Sequence, residues 1–104
     1  MEKFINVNVE KKANIYFEGK VVSRQILFND GSTKTLGVML PGEFEFNTSS
    51  KELMEIISGK LEYKLLNQID WISVTDGLSF YVPNNSSFKV KVLTIVNYCC
   101  SYID

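Results

Sequence analysis

From residue 15 to residue 101 the chain alternates apolar and polar positions in short runs broken by turn-forming residues, the pattern of half-buried strands in a β-sandwich or barrel. Helical periodicity is almost absent. Asn29-Asp30-Gly31-Ser32 forms a strong turn signal, because Asp and Gly tolerate the positive φ that tight hairpins require. Residues 21–28 and 33–40 on either side are therefore expected to pair. Pro41-Gly42 turns the chain into Glu43-Phe44-Glu45-Phe46, where strict alternation sets the two glutamates on one face and the two phenylalanines on the other. Alternation alone leaves open which pair looks inward. Residues 47–50 read as a loop, Ser58-Gly59-Lys60 and Asp76-Gly77 as turns, and Asn67-Gln68 as a weaker turn before a strand at Trp71. Residues 78–82, 88–93 and 95–102 complete an all-β reading.

One segment competes with that reading. Ser49 followed three residues later by Glu52 is a capping-box signature for a helix, yet only about two turns fit before Gly59. A strand over residues 54–57, preceded by at most a helical turn, is the expectation. The first dozen residues, with Lys11-Lys12, read as a loosely held extension.

Composition narrows the function classes. The chain has 104 residues, enough for one domain and one core. Eleven basic against twelve acidic residues give a net charge of −1, with Arg24 as the lone arginine, which argues against nucleic acid as a partner. No apolar run approaches the roughly 20 residues of a membrane span, no signal peptide is evident, and no membrane partner is expected. Cys99 and Cys100 are adjacent, and strand neighbours point to opposite faces, so they read as packed thiols rather than a bridge. Together these features imply a cytoplasmic protein. The chain has no histidine, so a metal site would need all-oxygen or thiolate ligands, and no metal or other cofactor is expected.

Two glycine-bounded blocks, Gly37 to Glu45 continuing through Glu52 to Gly59, and Gly77 to Pro83, have the spacing of the two signature motifs of a cupin barrel. A closer resemblance rests on Tyr16-Phe17-Glu18-Gly19-Lys20-Val21 and Thr35-Leu36-Gly37-Val38-Met39-Leu40-Pro41-Gly42-Glu43-Phe44-Glu45-Phe46. It extends through Trp71, Gly77, Phe80-Tyr81-Val82-Pro83, Ser86, Phe88 and Tyr98-Cys99-Cys100-Ser101-Tyr102. These strings resemble the pyrimidine/purine nucleoside phosphorylases, small single-domain cupins. The resemblance implies a double-stranded β-helix, or jelly-roll barrel, over residues 14–104, with residues 1–13 as an N-terminal extension. It also implies phosphorolysis of purine and pyrimidine nucleosides to free base and ribose 1-phosphate, with inorganic phosphate as co-substrate, in a homodimer. Where the family often carries Gly-His after the proline, this chain has Asn84-Asn85.

Displacement at an anomeric carbon passes through an oxocarbenium-like transition state, so a site must hold phosphate, bind the ribose hydroxyls and ease departure of the base. An ionised carboxylate accepts ribose hydroxyls and stabilises positive charge on the sugar, which makes Glu43, Glu45 and Glu52 the candidate catalytic residues. The first cupin motif places the parity of Glu43 and Glu45 inward. Phosphate needs donors: Lys20, Arg24 and Lys34 are the nearest cations by strand order, Lys20 foremost, and Ser23, Thr35 and Ser86 offer hydroxyls. Tolerance of many bases suits stacking on a ring, for which Phe44, Tyr81, Phe88, Tyr98 and Tyr102 are available, and Asn84 or Asn85 offers a donor to the departing base.

Each candidate has a plainer reading. Glu43 and Glu45 would face solvent if Phe44 and Phe46 pack inside, and Glu52 would be a helix cap. Phe80, Val82, Phe88, Val90 and Val92 are most simply core, with Lys89 and Lys91 solvated between them. Tyr98 and Tyr102 share one strand face and suit a core or dimer interface equally well, and Cys100 has no histidine to activate it. A cupin that binds a sugar or nucleotide without turning it over is the competing function.

Overall fold

The turn at Asp30 closes the first hairpin. Its Oδ1 accepts hydrogen bonds from the Ser32 backbone N–H at 2.8 Å and from the Ser32 hydroxyl, joining β3 (Val21–Leu27) to β4 (Thr33–Met39). In this computed structural model, residues 2–103 are described. The remaining strands are β1 (Asn8–Val9), β2 (Asn14–Tyr16), β5 (Gly42–Asn47), β6 (Lys51–Ser58), β7 (Lys60–Leu65), β8 (Ile72–Thr75), β9 (Ser79–Val82), β10 (Ser87–Val92) and β11 (Val96–Ile103). Among the described residues they form two antiparallel sheets. One holds seven strands in the order β1-β3-β4-β11-β6-β9, with β2 on the same edge of β3 as β1; the other runs β5-β10-β7-β8. The all-β expectation holds.

The core lies between the facing sheets. Val21, Met39, Met54, Ile56, Phe80, Val82, Val96 and Tyr98 come from the larger sheet, and Phe44, Leu61, Val74, Phe88, Val90 and Val92 from the smaller. Tyr63 stacks on Phe80 with ring centroids 3.8 Å apart, tying the sheets across the interior. Trp71 takes no part in this core. Its ring lies on the outer side of the smaller sheet, with the Lys91 and Lys64 ammonium groups 4.1 and 5.2 Å from its centroid.

Two local expectations are corrected. Residues 51–58 form one continuous strand, with no helical turn, because β6 is central: Met54 pairs with Cys100 on one side and Phe80 on the other. Backbone pairing on both edges outweighs the local preference of the Ser49–Glu52 capping box. The N-terminal segment is also held. Asn8 and Val9 pair with Leu27 and Ile26, the Glu10 N–H donates to the Gln25 carbonyl at 3.0 Å, and Phe4 meets Phe28 edge-to-face at 5.0 Å.

The turn that sends the chain from one sheet to the other depends on Gly59. Its φ is +101°, and a Cβ there would collide with the Ile95 carbonyl oxygen and Val96. Its N–H donates to Asp76 Oδ1 at 2.7 Å, locking the β6–β7 turn to the Asp76-Gly77 turn.

Candidate active site

The inner face of the larger sheet carries an apolar floor and a polar strip. Strand register sets the strip: Ser23, Gly37, Tyr98 and Ile56 form one row across β3, β4, β11 and β6; Thr35, Cys100 and Met54 form the next; Tyr102, Glu52 and Val82 form the third. Side chains on alternate residues share a face, so Ser23, Thr35, Glu52, Tyr98, Cys100 and Tyr102 all project inward. They line a cavity of about 390 Å³, within the range of small-molecule sites. Phe46, Asn47 and Phe88 form the opposite wall, and Tyr16 and Phe17 border it from the turn before β3.

Gly37 makes the first row possible. A Cβ at this position would lie 2.7 Å from two ring carbons and the hydroxyl oxygen of Tyr98, so only glycine lets the phenol cross β4 toward Ser23. Ser23, itself buried, accepts a hydrogen bond from Asn14 Nδ2 at 3.4 Å. Burial pushes the Tyr98 phenol far above its ordinary value, only partly offset by Ser23, so it stays a neutral hydroxyl.

In the adjoining rows the Cys100 thiol donates to Glu52 Oε1 at 3.4 Å. Burial raises the Glu52 carboxyl above the usual glutamate range, and the thiol hydrogen bond opposes that rise. Burial and the Glu52 charge together push Cys100 well up, which leaves it a thiol and not a nucleophile. Tyr102 is raised to about 12, chiefly by burial, with Thr35 lowering it. The site therefore offers neutral hydroxyl donors around the Glu52 carboxyl group, which projects inward from the larger sheet.

The sequence candidates divide sharply. Ser23, Thr35, Glu52 and Tyr98 come together in the cavity, and the exposed Glu45 is also among its lining residues. The inward placement of Glu43 and Glu45 is corrected. Pairing of β5 with β10 sets Phe44 opposite Val90 and Phe46 opposite Phe88, so the apolar faces coincide and Glu43 and Glu45 face outward opposite Lys91 and Lys89. Glu43 Oε1 lies 3.9 Å from Lys91 Nζ on the outer surface.

The expected phosphate cations also lie elsewhere. Arg24 and Lys34 project from the outer face of the larger sheet, Arg24 with its Nε 3.5 Å from the Lys11 carbonyl oxygen and Lys34 over the Phe4 and Phe28 rings. Lys20 is exposed, and no lysine or arginine is among the described residues lining the cavity. Tyr81 faces outward beneath Lys51, whose Nζ is 4.7 Å from the ring centroid. Asn84 and Asn85 are exposed in the β9–β10 loop, and Ser86 serves as a backbone anchor: its N–H donates to Thr48 Oγ1 at 3.0 Å while Thr48 Oγ1 donates to the Pro83 carbonyl at 2.6 Å.

Asn47, Phe17, Tyr16, Cys100 and Tyr102 also line the cavity, over a floor that includes Met39 and Met54. Of these, Tyr102 was recognisable as an available ring, and Cys100 shares its strand parity two residues away. No three His, Cys, Asp or Glu side chains gather into a metal-binding group among the described residues.

Comparison with known proteins places this geometry in a family. The family model described as pyrimidine/purine nucleoside phosphorylase matches residues 11–102. A curated relative of that name from Chlorobium chlorochromatii (strain CaD3) is 55% identical over 103 residues, covering 99% of each chain. A crystal structure of a protein of unknown function from Acinetobacter sp. ADP1 superposes with a TM-score of 0.95 at 41% identity, covering 97% of this chain and 98% of that one. A cupin superfamily protein from Desulfitobacterium hafniense DCB-2 shares the fold, with a TM-score of 0.65 at 15% identity over 81% of this chain and 78% of that one. With a cupin fold and a family match spanning nearly its full length, the chain belongs to the pyrimidine/purine nucleoside phosphorylase family.

Proposed function

We infer that this chain catalyses phosphorolysis of purine and pyrimidine nucleosides in the cavity on the inner face of the larger sheet. A phosphate oxygen attacks the anomeric carbon, the C–N glycosidic bond breaks, the base departs with the bonding electron pair and takes up a proton, and ribose 1-phosphate remains. The observation that carries the reading is 55% identity, over almost the whole chain, to a relative named for this activity.

The geometry supports roles for particular residues. Glu52 projects into the cavity from the larger sheet, and in its ionised form it accepts ribose hydroxyls and stabilises positive charge developing on the sugar. Ser23, Thr35, Tyr98 and Tyr102 supply neutral donors to phosphate in place of lysine or arginine. Neutral donors hold the anion without a cation that would compete for Glu52. With no histidine in the chain, the step is assigned to these side chains without a metal, and activity is expected to survive dialysis against a chelator.

A homodimer in the cytoplasm fits this reading. The outer face of the larger sheet has an apolar centre of Val22, Leu36, Val38 and Ile57, with Arg24 and Lys34 to one side and Glu55 to the other, a charge arrangement that a two-fold axis makes self-complementary. Sizing in solution tests it, and a monomer would contradict it. Two free cysteines suit a reducing compartment, and no helix of the described residues is long and apolar enough to cross a membrane.

The direct test is incubation with adenosine or uridine, with and without phosphate, followed by assay for free base. Phosphate-dependent release is expected for both. Nucleoside binding without release would instead favour a non-catalytic binding protein.

A further inference from the structure

We propose that Phe17 is the stacking platform for the nucleobase, held at the cavity by a left-handed turn. This rests on the phosphorylase reading and adds the residue that gives it tolerance of many bases. Phe17, Glu18 and Gly19 have consecutive φ values of 52°, 57° and 92°. Left-handed backbone is unfavourable for residues with a side chain, and two such residues in succession are retained where surrounding structure holds them for a purpose.

The turn sets the Phe17 ring against the aromatic wall. Its centroid lies 4.9 Å from that of Phe44, tilted, and 5.5 Å from that of Phe46, edge-on. The residue nevertheless remains 42% exposed, and it borders the same cavity as Glu52 and Tyr98. A phenylalanine serving only the core would be buried like Phe44 and Phe88, at 6% and 3% exposure. Phe17 is anchored on one side and open on the other, as a stacking surface must be. Purines and pyrimidines differ in their hydrogen-bonding edges and share a π face, so a ring in this position accepts both classes without reading the edge.

Replacing Phe17 by Leu keeps an apolar group against Phe44 and Phe46 and removes the aromatic face. Phe17→Leu is expected to raise KM for both adenosine and uridine roughly 5- to 150-fold, the span of base–aromatic stacking, while KM for phosphate stays within about twofold. Phe17→Tyr should restore both nucleoside KM values. Unchanged nucleoside KM in Phe17→Leu, or an equal rise in KM for phosphate, would overturn the proposal. Should Phe17→Leu fail to fold, Phe17→Trp provides a reporter: added adenosine should change its emission beyond the response of wild type with Trp71 alone, and no such change counts against the platform. If wild type releases no base with phosphate present, the phosphorylase reading fails separately. Equilibrium dialysis with adenosine then decides the platform, with weakened binding to Phe17→Leu supporting it and unchanged binding refuting it.

Discussion

The two sheets place glutamate on opposite sides of the same core. In β5, Glu43 lies outward beside Lys91, while in β6, Glu52 turns inward against the Cys100 thiol. Both strands alternate, and both glutamates lie within the first glycine-bounded block, so local sequence barely separates them. Their partners do. β5 pairs with β10, whose Phe88, Val90 and Val92 require an apolar inner face, whereas β6 pairs with β11, whose inner face already carries Tyr98, Cys100 and Tyr102. The smaller sheet thus provides an apolar inner wall with charged side chains on its outer face, and the larger sheet carries most of the polar side chains that line the cavity.

The largest expected effect is on the inward carboxyl group. Glu52→Gln keeps an acceptor for the Cys100 thiol and removes the charge, so kcat/KM is expected to fall roughly 10²- to 10³-fold, as for other losses of transition-state electrostatics. Stability should move the other way. Burial raises the folded-state pKa of Glu52, so its contribution to stability is present at low pH and lost as pH rises through that folded value. At neutral pH the variant should melt no lower than wild type, and the difference between them should shrink on acidification. Thermal melts across pH check this, and a large loss of stability at neutral pH would assign Glu52 a structural role.

The same shift sets the pH profile. Catalysis through the Glu52 carboxylate requires the ionised form, and burial raises the pH at which ionisation occurs. The acid limb of kcat/KM should therefore begin above the ordinary glutamate range and disappear in Glu52→Gln. An acid limb unchanged in that variant would assign it to another group.

Gly37 tests the row beside Glu52. Alanine there meets the buried Tyr98 ring, and such overpacking typically costs about 1–3 kcal/mol. Turnover should fall with the melting temperature as the phenol is driven from Ser23. Tyr98→Phe keeps the ring and removes the hydroxyl, so it should raise KM for phosphate with a smaller change in melting temperature. Steady-state kinetics on the two variants separates the position of the ring from the donor it carries.

Much of the fold was legible in the sequence because period-two alternation and Asp-Gly turns are local signals: the Asp30 hairpin, the Asp76-Gly77 turn and the apolar parity of β10 follow from neighbouring residues alone. The site was legible only in part. Ser23, Thr35, Glu52 and Tyr98 meet because β3, β4, β11 and β6 lie side by side, an order that no local pattern encodes. Glu43 was misplaced for the same reason. The parity of β5 was plain, but its inward side depended on Lys89 and Lys91 lying opposite, a pairing across more than forty residues of chain. Phe17 was not among the candidate rings because its left-handed backbone uses a phenylalanine and a glutamate where glycine or asparagine would have marked the turn.

The smallest expected effect falls on the outer carboxylate and is the sharpest check on the contrast between the sheets. Glu43 meets Lys91 at 3.9 Å in a solvated pair, and exposed pairs of this kind contribute roughly 0.2–1 kcal/mol. Glu43→Gln should lower the melting temperature slightly at low salt, and less at high salt as ions screen the pair. Its kcat/KM should match wild type in the assay that finds Glu52→Gln impaired. A loss of turnover in Glu43→Gln comparable with that in Glu52→Gln would mean that the smaller sheet contributes charge to the reaction, and the division between wall and chemistry would fail.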